Sequence, residues 1–247
     1  MYRSYRSIIY RPITVTYFLA LFITTLMILS LLIYTIPVLV KGLKIPIPIA
    51  FLIFYSALIG SYINIPIRSY ETYEPAIVLR EIRIFGIKWI LPGIDWAVKR
   101  TIVAINVGGA LIPVLTSIFL LVYVIPVYEL NPFSTYIKTL IALIAVTYLI
   151  NRIAKIIPGL GIAVPGAIPP IITALISILL YQLPPESNPA IIAYISGTLG
   201  TLIGADLLNL NKVTKIRARM VSIGGAGTFD GIYLTGLIAA ALTLLAV

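Results

Sequence analysis

The sequence predicts an all-α fold, a polytopic bundle of about seven transmembrane helices, some of them broken by glycine and proline. Of the 247 residues, 60% are hydrophobic and 11% are charged, whereas soluble domains are about 45–50% apolar and about 25% charged. Long apolar stretches recur along the chain, and basic residues concentrate between them. Lipid is therefore the expected solvent, and residues 1–247 are predicted to form a single membrane domain.

Each predicted span is an apolar stretch near the roughly 20 residues that a helix needs to cross the hydrocarbon core. The seven predicted spans are residues 13–40, 45–67, 101–125, 136–150, 159–181, 189–210 and 220–247. The fourth is the shortest, and the first and last are long enough to tilt or to extend beyond the core. The first stretch is too long for the apolar region of a signal peptide, so no cleavable signal is expected.

The basic residues test this topology independently, because cytoplasmic loops of membrane proteins are enriched in lysine and arginine. With the N-terminus in the cytoplasm, 15 of the 18 basic residues fall on that side, and only Lys41, Lys44 and Lys138 fall outside. The bias predicts an integral membrane protein with a cytoplasmic N-terminus and an external C-terminus. It also accounts for the net charge of +10, so the lipid bilayer, and not nucleic acid, is the expected partner.

The longest predicted loop, residues 68–100, lies on the cytoplasmic side. Within it, residues 82–90 partly alternate apolar and basic side chains, which predicts either a short hairpin or a helix lying on the lipid headgroups. Trp89 and Trp96 fit an interfacial position. The favoured interpretation is a connector bound to the membrane surface, and the alternative is a regulatory element.

The sequence contains no cysteine and no histidine. Disulfides, thiol nucleophiles, Cys/His zinc sites, His-ligated haem and Ser–His catalysis are therefore excluded. Neither a cofactor nor a metal is expected.

Two aspartates are the candidate catalytic residues. Of the eight acidic residues, only Asp206 and Asp230 fall within predicted spans, where an ionisable group is costly and marks a functional candidate. The seventh span begins with three glycines in four residues, so its helix is predicted to start with Thr228 as N-cap and Asp230 in the first turn. Because the sixth span ends a few residues after Asp206, both aspartates are expected at one depth near the cytoplasmic face.

Further amide and glycine residues fall at the same predicted level and are the candidate substrate-binding residues. They are Asn64, Asn106, Asn209, Gly225 and Gly227. Non-helical backbone at membrane depth is tolerated where protein buries it or where it lines a watery cavity, so the pattern predicts a polar chamber open toward the cytoplasm. In the alternative, structural interpretation, the asparagines bond each other or nearby backbone, the glycines serve helix packing and the aspartates are buried hydrogen-bond acceptors.

Residues 197–210 and 222–231 resemble a family of uncharacterised prokaryotic membrane proteins that carry a domain of unknown function. Residues 60–66, 106–113 and 159–170 are similar to that family as well. The resemblance implies a multispan protein of a prokaryotic cell membrane, and it implies no established activity.

A more distant resemblance links Asp206 and Asp230 to presenilins, signal peptide peptidases and prepilin peptidases. Presenilin-like enzymes carry one aspartate on a span that runs from outside to inside and a second aspartate on the next span, in a Gly-x-Gly-Asp motif. Here Gly225-Ala226-Gly227 precedes Asp230 with two residues in between. The resemblance implies an intramembrane aspartyl protease with both aspartates as the catalytic pair.

Three functions remain open at this stage. In an aspartyl protease, Asp206 and Asp230 share one proton, and one acts as general base on water while the other acts as acid on the scissile carbonyl. A membrane peptide would then be oriented by Asn106, Asn209 and the glycine backbone. In an ion- or proton-coupled transporter, the aspartates bind a proton or a small cation, with Asn64 and Asn106 as neutral ligands. In a non-catalytic membrane scaffold, the aspartates are structural. The substrate and the oligomeric state are not predicted.

Overall fold

The computed structural model describes residues 15–157, 161–215 and 220–247. The first two residues of the first predicted span (13–14) and of the fifth (159–160) lie outside these ranges. So do five of the 15 basic residues that the sequence analysis placed on the cytoplasmic side: Arg3, Arg6, Arg11, Arg217 and Arg219.

Apolar helices form most of the molecule. The described residues contain α1 (Val15–Pro37), α2 (Ile47–Gly60), α3 (Val107–Tyr128), α4 (Pro132–Ile153), α5 (Ile168–Tyr181), α6 (Pro189–Thr201) and α7 (Gly231–Ala246). Helix α6 continues through a π-helical turn, Leu202–Asp206, into a 3-10 segment, Leu207–Lys215. One such helix overlaps each predicted span, and α3 and α4 extend beyond theirs.

Four apolar segments are long enough to cross a membrane, as judged by their length and composition. They are Phe22–Gly42, Val107–Tyr128, Pro132–Ile153 and Pro189–Lys212. Helices α2, α5 and α7 are apolar but shorter, at 14, 14 and 16 residues. The helices support an integral membrane protein, and four candidate spans is the number that their lengths support.

The prediction of an all-α fold is wrong, because the structure also contains two sheets. Strands β1 (Asn64–Ile84) and β2 (Ile87–Asn106) are antiparallel, and β5 (Met220–Ile223) pairs in parallel with the end of β2 at residues 102–105. A second, small sheet joins β3 (Lys155–Ile157) to β4 (Gly161–Ala163). The short strands β4 and β5 border the candidate site described below.

Residues 68–100 form most of a long β-ribbon built from β1 and β2. Each strand has about 20 residues, and at about 3.3 Å per residue the ribbon is about 65 Å long. Its turn is Phe85-Gly86, with φ of 51° and 79°, as the two-residue turns favoured in hairpins require. The sequence analysis allowed a hairpin here, but one confined to residues 82–90. The ribbon is far longer, because β1 and β2 pair along their whole length, from Asn64 with Asn106 to Ile84 with Ile87.

Three predicted spans were too long, for a common reason, at the ends that were predicted to be cytoplasmic. Residues 64–67 and 101–106 were assigned to membrane helices, yet they belong to β1 and β2. Residues 220–223 were likewise assigned to the seventh span and form β5. These segments are rich in isoleucine and valine, which are apolar enough for a span but favour strands. The fourth span shows the reverse error, since α4 has 22 residues where 136–150 was predicted.

Helix α6 lies at the centre of the bundle. All of its residues except Leu199 are buried, as expected for a helix that is packed on all sides. The largest core cluster joins α6 to α2, α3, α7 and the π-helical turn that follows α1, through Leu39, Ala57, Leu120, Ile191, Tyr194 and Leu237. Because Asp206 follows α6 and Asp230 precedes α7, this packing sets the relative positions of the two aspartates.

Glycines allow α6 and α7 to approach closely. Gly197 of α6 lies against Gly236 of α7, so that a Cβ added at Gly197 would be 3.2 Å from the Gly236 Cα. A Cβ added at Gly236 would overlap the Thr198 hydroxyl oxygen and lie 3.1 Å from the Tyr194 carbonyl oxygen. Small residues serve this purpose in many membrane helix pairs.

We expect Gly236→Ala to lower stability by about 1–3 kcal/mol, because the new methyl group forces α6 and α7 apart. The change is measured as the melting temperature of the purified protein in detergent. Gly231→Ala is the matched control on the same helix, since the nearest atom to its added Cβ is 4.0 Å away. Equal melting temperatures for the two variants would contradict close packing at Gly236.

Candidate functional site

Asp206 and Asp230 line one cavity of about 460 Å³. Both residues are partly exposed, although each lies next to buried segments. The cavity lies beside the ends of α6 and α7 and is bordered by both short strands, β4 and β5. Gly225 and Ala226, which are exposed, also line it, so the cavity reaches the surface of the described structure.

Asp206 is the last residue of the π-helical turn that follows α6. Such turns interrupt an α-helix and occur often at functional sites, because they present a side chain that regular helix geometry would place elsewhere. The Asp206 carboxylate lines the same cavity as Gly224, just beyond β5. The cavity therefore lies between the end of α6 and the turn that precedes α7.

Asp230 is the N-cap of α7. Its Oδ1 accepts a hydrogen bond from the Ile232 N–H at 2.9 Å, and its Oδ2 accepts one from the Ala226 N–H at 3.3 Å. The predicted N-cap, Thr228, is wrong, since Thr228 lies in a short 3-10 turn, Gly227–Phe229, that ends before the helix. A carboxylate at the cap is also favoured by the positive end of the helix dipole.

Both carboxylates border one short turn. Gly224 and Ala226, two residues apart in this turn, line the cavity together with Asp206 and Asp230, and the Ala226 N–H donates to Asp230. Negative charges on two carboxylates at one cavity repel each other. No hydrogen bond joins the two carboxyl groups directly within the described residues, so a water molecule between them would be required for a shared proton.

Hydroxyl groups supply the remaining side-chain polarity of the cavity. Thr201 is the last residue of α6, Thr235 lies in α7 and Ser222 lies in β5. The rest of the wall is backbone and small or apolar side chains, including Gly161, Ala163 and Ile223. The cavity is therefore a site of two carboxylates and several hydroxyls in an otherwise apolar surround.

Asn64 and Asn106 meet outside the cavity lining, as the structural alternative in the sequence analysis allowed. Asn106 is fully buried. Its Nδ2 donates to the Ser61 carbonyl oxygen at 2.8 Å and to Asn64 Oδ1 at 3.2 Å, and its Oδ1 accepts from the Gly109 N–H at 2.8 Å. Asn64 Oδ1 also accepts from the Ser222 hydroxyl at 2.5 Å. Asn106 thus joins α2, β1 and α3.

The other three predicted substrate-binding residues have different positions. Gly225 lines the cavity beside the aspartates. Gly227 has φ of +63° and packs against the Ser61 side chain, where any Cβ would overlap. Asn209 is buried, and its Nδ2 donates to the Ala205 carbonyl oxygen at 2.8 Å, which satisfies a backbone group freed by the π-helical turn. The structure therefore brings Asp206, Asp230 and Gly225 together at one cavity.

Serine residues that the sequence analysis missed hold the site together. The Ser61 hydroxyl accepts from the Thr228 N–H at 2.9 Å and donates to the Ala57 carbonyl oxygen at 2.7 Å. Ser222 lines the cavity and donates to Asn64. Neither serine lies in a motif. Their role depends on contacts between segments about 160 residues apart, which no local pattern reveals.

A comparison with protein-family models matches residues 58–242 to the protein family of unknown function DUF1614. The chain belongs to the DUF1614 family. The matched region includes both aspartates, the ribbon and helices α3 to α6, so it covers the elements that build this cavity. No curated protein and no solved structure matches the chain. The comparisons give no relationship to presenilin-like proteases.

We expect Asn106→Ala to destabilise the protein by about 1–3 kcal/mol, because it leaves the Gly109 N–H and the Ser61 carbonyl oxygen buried without their partners. The measurement is thermal unfolding in detergent. Asn131→Ala is the control, since Asn131 is exposed and its side chain makes no capping hydrogen bond. A melting temperature for Asn106→Ala equal to that of the control would show that the network contributes little.

Proposed function

We propose that this DUF1614 protein is an intramembrane aspartyl protease in which Asp206 and Asp230 form the catalytic pair. The observation that carries the proposal is the placement of two carboxylates around one turn, at one cavity that reaches the surface. An aspartate pair of this kind, next to a break in a buried helix, is costly for a membrane protein to maintain without use.

The chemistry follows from two carboxylates that share one proton. Repulsion between the negative charges favours the state with one group protonated. The ionised aspartate takes a proton from a water molecule held between the pair, and the water oxygen attacks the carbonyl carbon of the peptide bond. The protonated aspartate donates its proton to the carbonyl oxygen. Collapse of the tetrahedral intermediate then breaks the C–N bond. The leaving nitrogen takes the proton that the first aspartate removed from the water molecule.

An extended peptide fits the walls of the cavity. Strand β5 pairs with β2 along one edge, and its other edge pairs with no strand in the described structure. Because β5 and β4 both border the cavity, a peptide can add to β5 by main-chain hydrogen bonds, as in other cases of strand addition. This would place its backbone carbonyls beside the two aspartates.

The proposal includes the topology predicted by the basic residues, with seven crossings, a cytoplasmic N-terminus and an external C-terminus. Helices α2, α5 and α7 are too short to cross alone and would do so together with the extended segments that flank them. Such segments are tolerated at membrane depth when protein surrounds them. In this arrangement the cavity opens toward the cytoplasm of a prokaryotic cell.

We expect Asp206→Asn and Asp230→Asn each to abolish cleavage, because a carboxamide can neither accept nor donate the proton that the two carboxyl groups share. The full chain is reconstituted in vesicles with a panel of single-span membrane proteins, and products are mapped by mass spectrometry. Asn is a good N-cap, so Asp230→Asn should preserve α7. Glu186→Gln, at an exposed site, is the control for loss of one negative charge.

A second measurement requires no knowledge of the substrate. A peptide carrying a hydroxyl group in place of the scissile carbonyl, with a photoreactive tag, should label the wild-type chain and the Glu186→Gln variant. Neither Asp→Asn variant should be labelled, because the hydroxyl occupies the position of the water between the carboxylates. Equal labelling of all four proteins, or cleavage that survives both Asp→Asn substitutions, would refute the protease.

One observation favours proton-coupled transport as a second candidate. Asp206 ends the π-helical turn that follows α6, and broken helices with acidic residues are typical of transporter sites. The same vesicles distinguish the two functions. Proton flux that disappears in Asp206→Asn, without any cleavage in the wild-type protein, would favour transport. The absence of both activities would favour the non-catalytic scaffold.

A further inference from the structure

The ribbon formed by β1 and β2 has one face that is apolar over most of its length and that nothing in the described structure covers. The pairing register places alternate residues of β1 on this face with their partners on β2. We call it the apolar ribbon face and define it by six large side chains that are 52–79% exposed: Tyr73, Ile77, Leu79, Ile94, Trp96 and Val98.

The area of this face matches that of a stable protein interface. Six side chains of this size, each more than half exposed, present on the order of 800 Å², which is about what one partner contributes to a standard interface. Uncovered apolar patches of more than a few hundred Å² on a protein surface mark binding sites. A two-stranded ribbon is also marginally stable by itself in water, so a covering partner would stabilise it.

The hydrocarbon core of the membrane is a poor occupant for this face. Beyond the four positions where β5 pairs with β2, neither outer edge of the ribbon pairs with another described strand. Each open edge carries unpaired backbone N–H and carbonyl groups, and open sheet edges do not occur in the hydrocarbon region. A protein partner that stacks on the face leaves both edges in water.

The charges at the base of the face are complementary to those of a second copy. Glu71 and Arg100 occupy the same row of the ribbon, next to Tyr73 and Val98, and lie 2.7 Å apart. Rotation of a copy about the long axis of the ribbon places Glu71 over Arg100 of the other copy, and the reverse. At the tip, Arg83 and Lys88 also share a row. The Glu81 carboxylate lies 3.6 Å from the Lys88 ammonium and offsets part of this positive charge.

We propose that two copies of this protein dimerise by stacking their apolar ribbon faces. The two-fold axis runs along the ribbon, so that the Glu71/Arg100 ends of the two ribbons lie together and the two turns lie together. Copies in one membrane share one orientation, so their ribbons leave the bundle on the same side and can pair in this way. The contact is isologous, since each row of one ribbon meets the same row of the other with β1 over β2. The proposal does not depend on the protease.

Cysteine cross-linking tests this arrangement, because the chain contains no native cysteine. Two differently tagged chains, one carrying Tyr73→Cys and the other Val98→Cys, are co-expressed and treated in native membranes with a bifunctional thiol reagent that spans about 10 Å, the distance between stacked sheets. These positions share one row of the apolar ribbon face, so they should be cross-linked between copies. Val78→Cys with Gly93→Cys is the matched control, since that pair shares a row on the opposite face and should remain uncoupled.

Two further variants make every outcome decisive. Ile94→Asp should reduce cross-linking of the Tyr73/Val98 pair by about tenfold, because it would bury an unpaired charge, whereas Leu91→Asp on the opposite face should not. Equal coupling of the control pair would mean random collision and would overturn the proposal. Coupling of Tyr73→Cys with Glu81→Cys in place of Val98→Cys would show antiparallel stacking. No coupling of any pair would overturn the proposal. Quenching of Trp96 fluorescence by brominated lipids would then identify the membrane surface as the occupant of the face.

Discussion

The structure depends on how backbone groups are satisfied where several helices end at the same level. Helix α2 ends at Gly60, β2 passes into α3 at Asn106 and the chain re-enters α7 at Asp230. The buried side chain of Asn106 bonds to the end of α2, to β1 and to the start of α3. The Ser61 hydroxyl accepts a bond from the turn that precedes α7. Since unpaired backbone groups are not tolerated in an apolar surround, these side chains make irregular backbone possible next to the bundle, and with it the cavity.

Hydrophobicity predicted the positions of the helices but not the ends of the helices. Each of the seven helices α1 to α7 overlaps one predicted span, because a long apolar stretch has few other stable forms. The ends were wrong where isoleucine and valine continue past the helix, as at residues 101–106 and 220–223, which are strands. Apolar runs of this length do not distinguish a buried strand from the end of a helix. Only pairing between β2 and β5, about 120 residues apart in sequence, decides it.

The proximity of the two aspartates was predictable from the sequence, whereas features that depend on tertiary contacts were not. Counting residues from the predicted cytoplasmic ends of two spans led to the expectation that Asp206 and Asp230 lie together, and they line one cavity. The role of Asp230 as N-cap was missed because Thr228 is an equally good capping residue by type. Its exclusion follows from the Thr228 N–H bond to Ser61, a contact invisible in the sequence.

Strand β5 connects the ribbon to the two carboxylates. It pairs with residues 102–105 at the base of the ribbon, and its next residue, Gly224, lines the cavity beside Asp206. The same turn continues to Ala226, whose N–H donates to Asp230. The chain therefore passes directly from the strand paired with β2 into the turn that borders both aspartates. A partner that shifts the base of the ribbon must move β5 or break its pairing, and either change alters the turn on which the distance between the carboxylates depends.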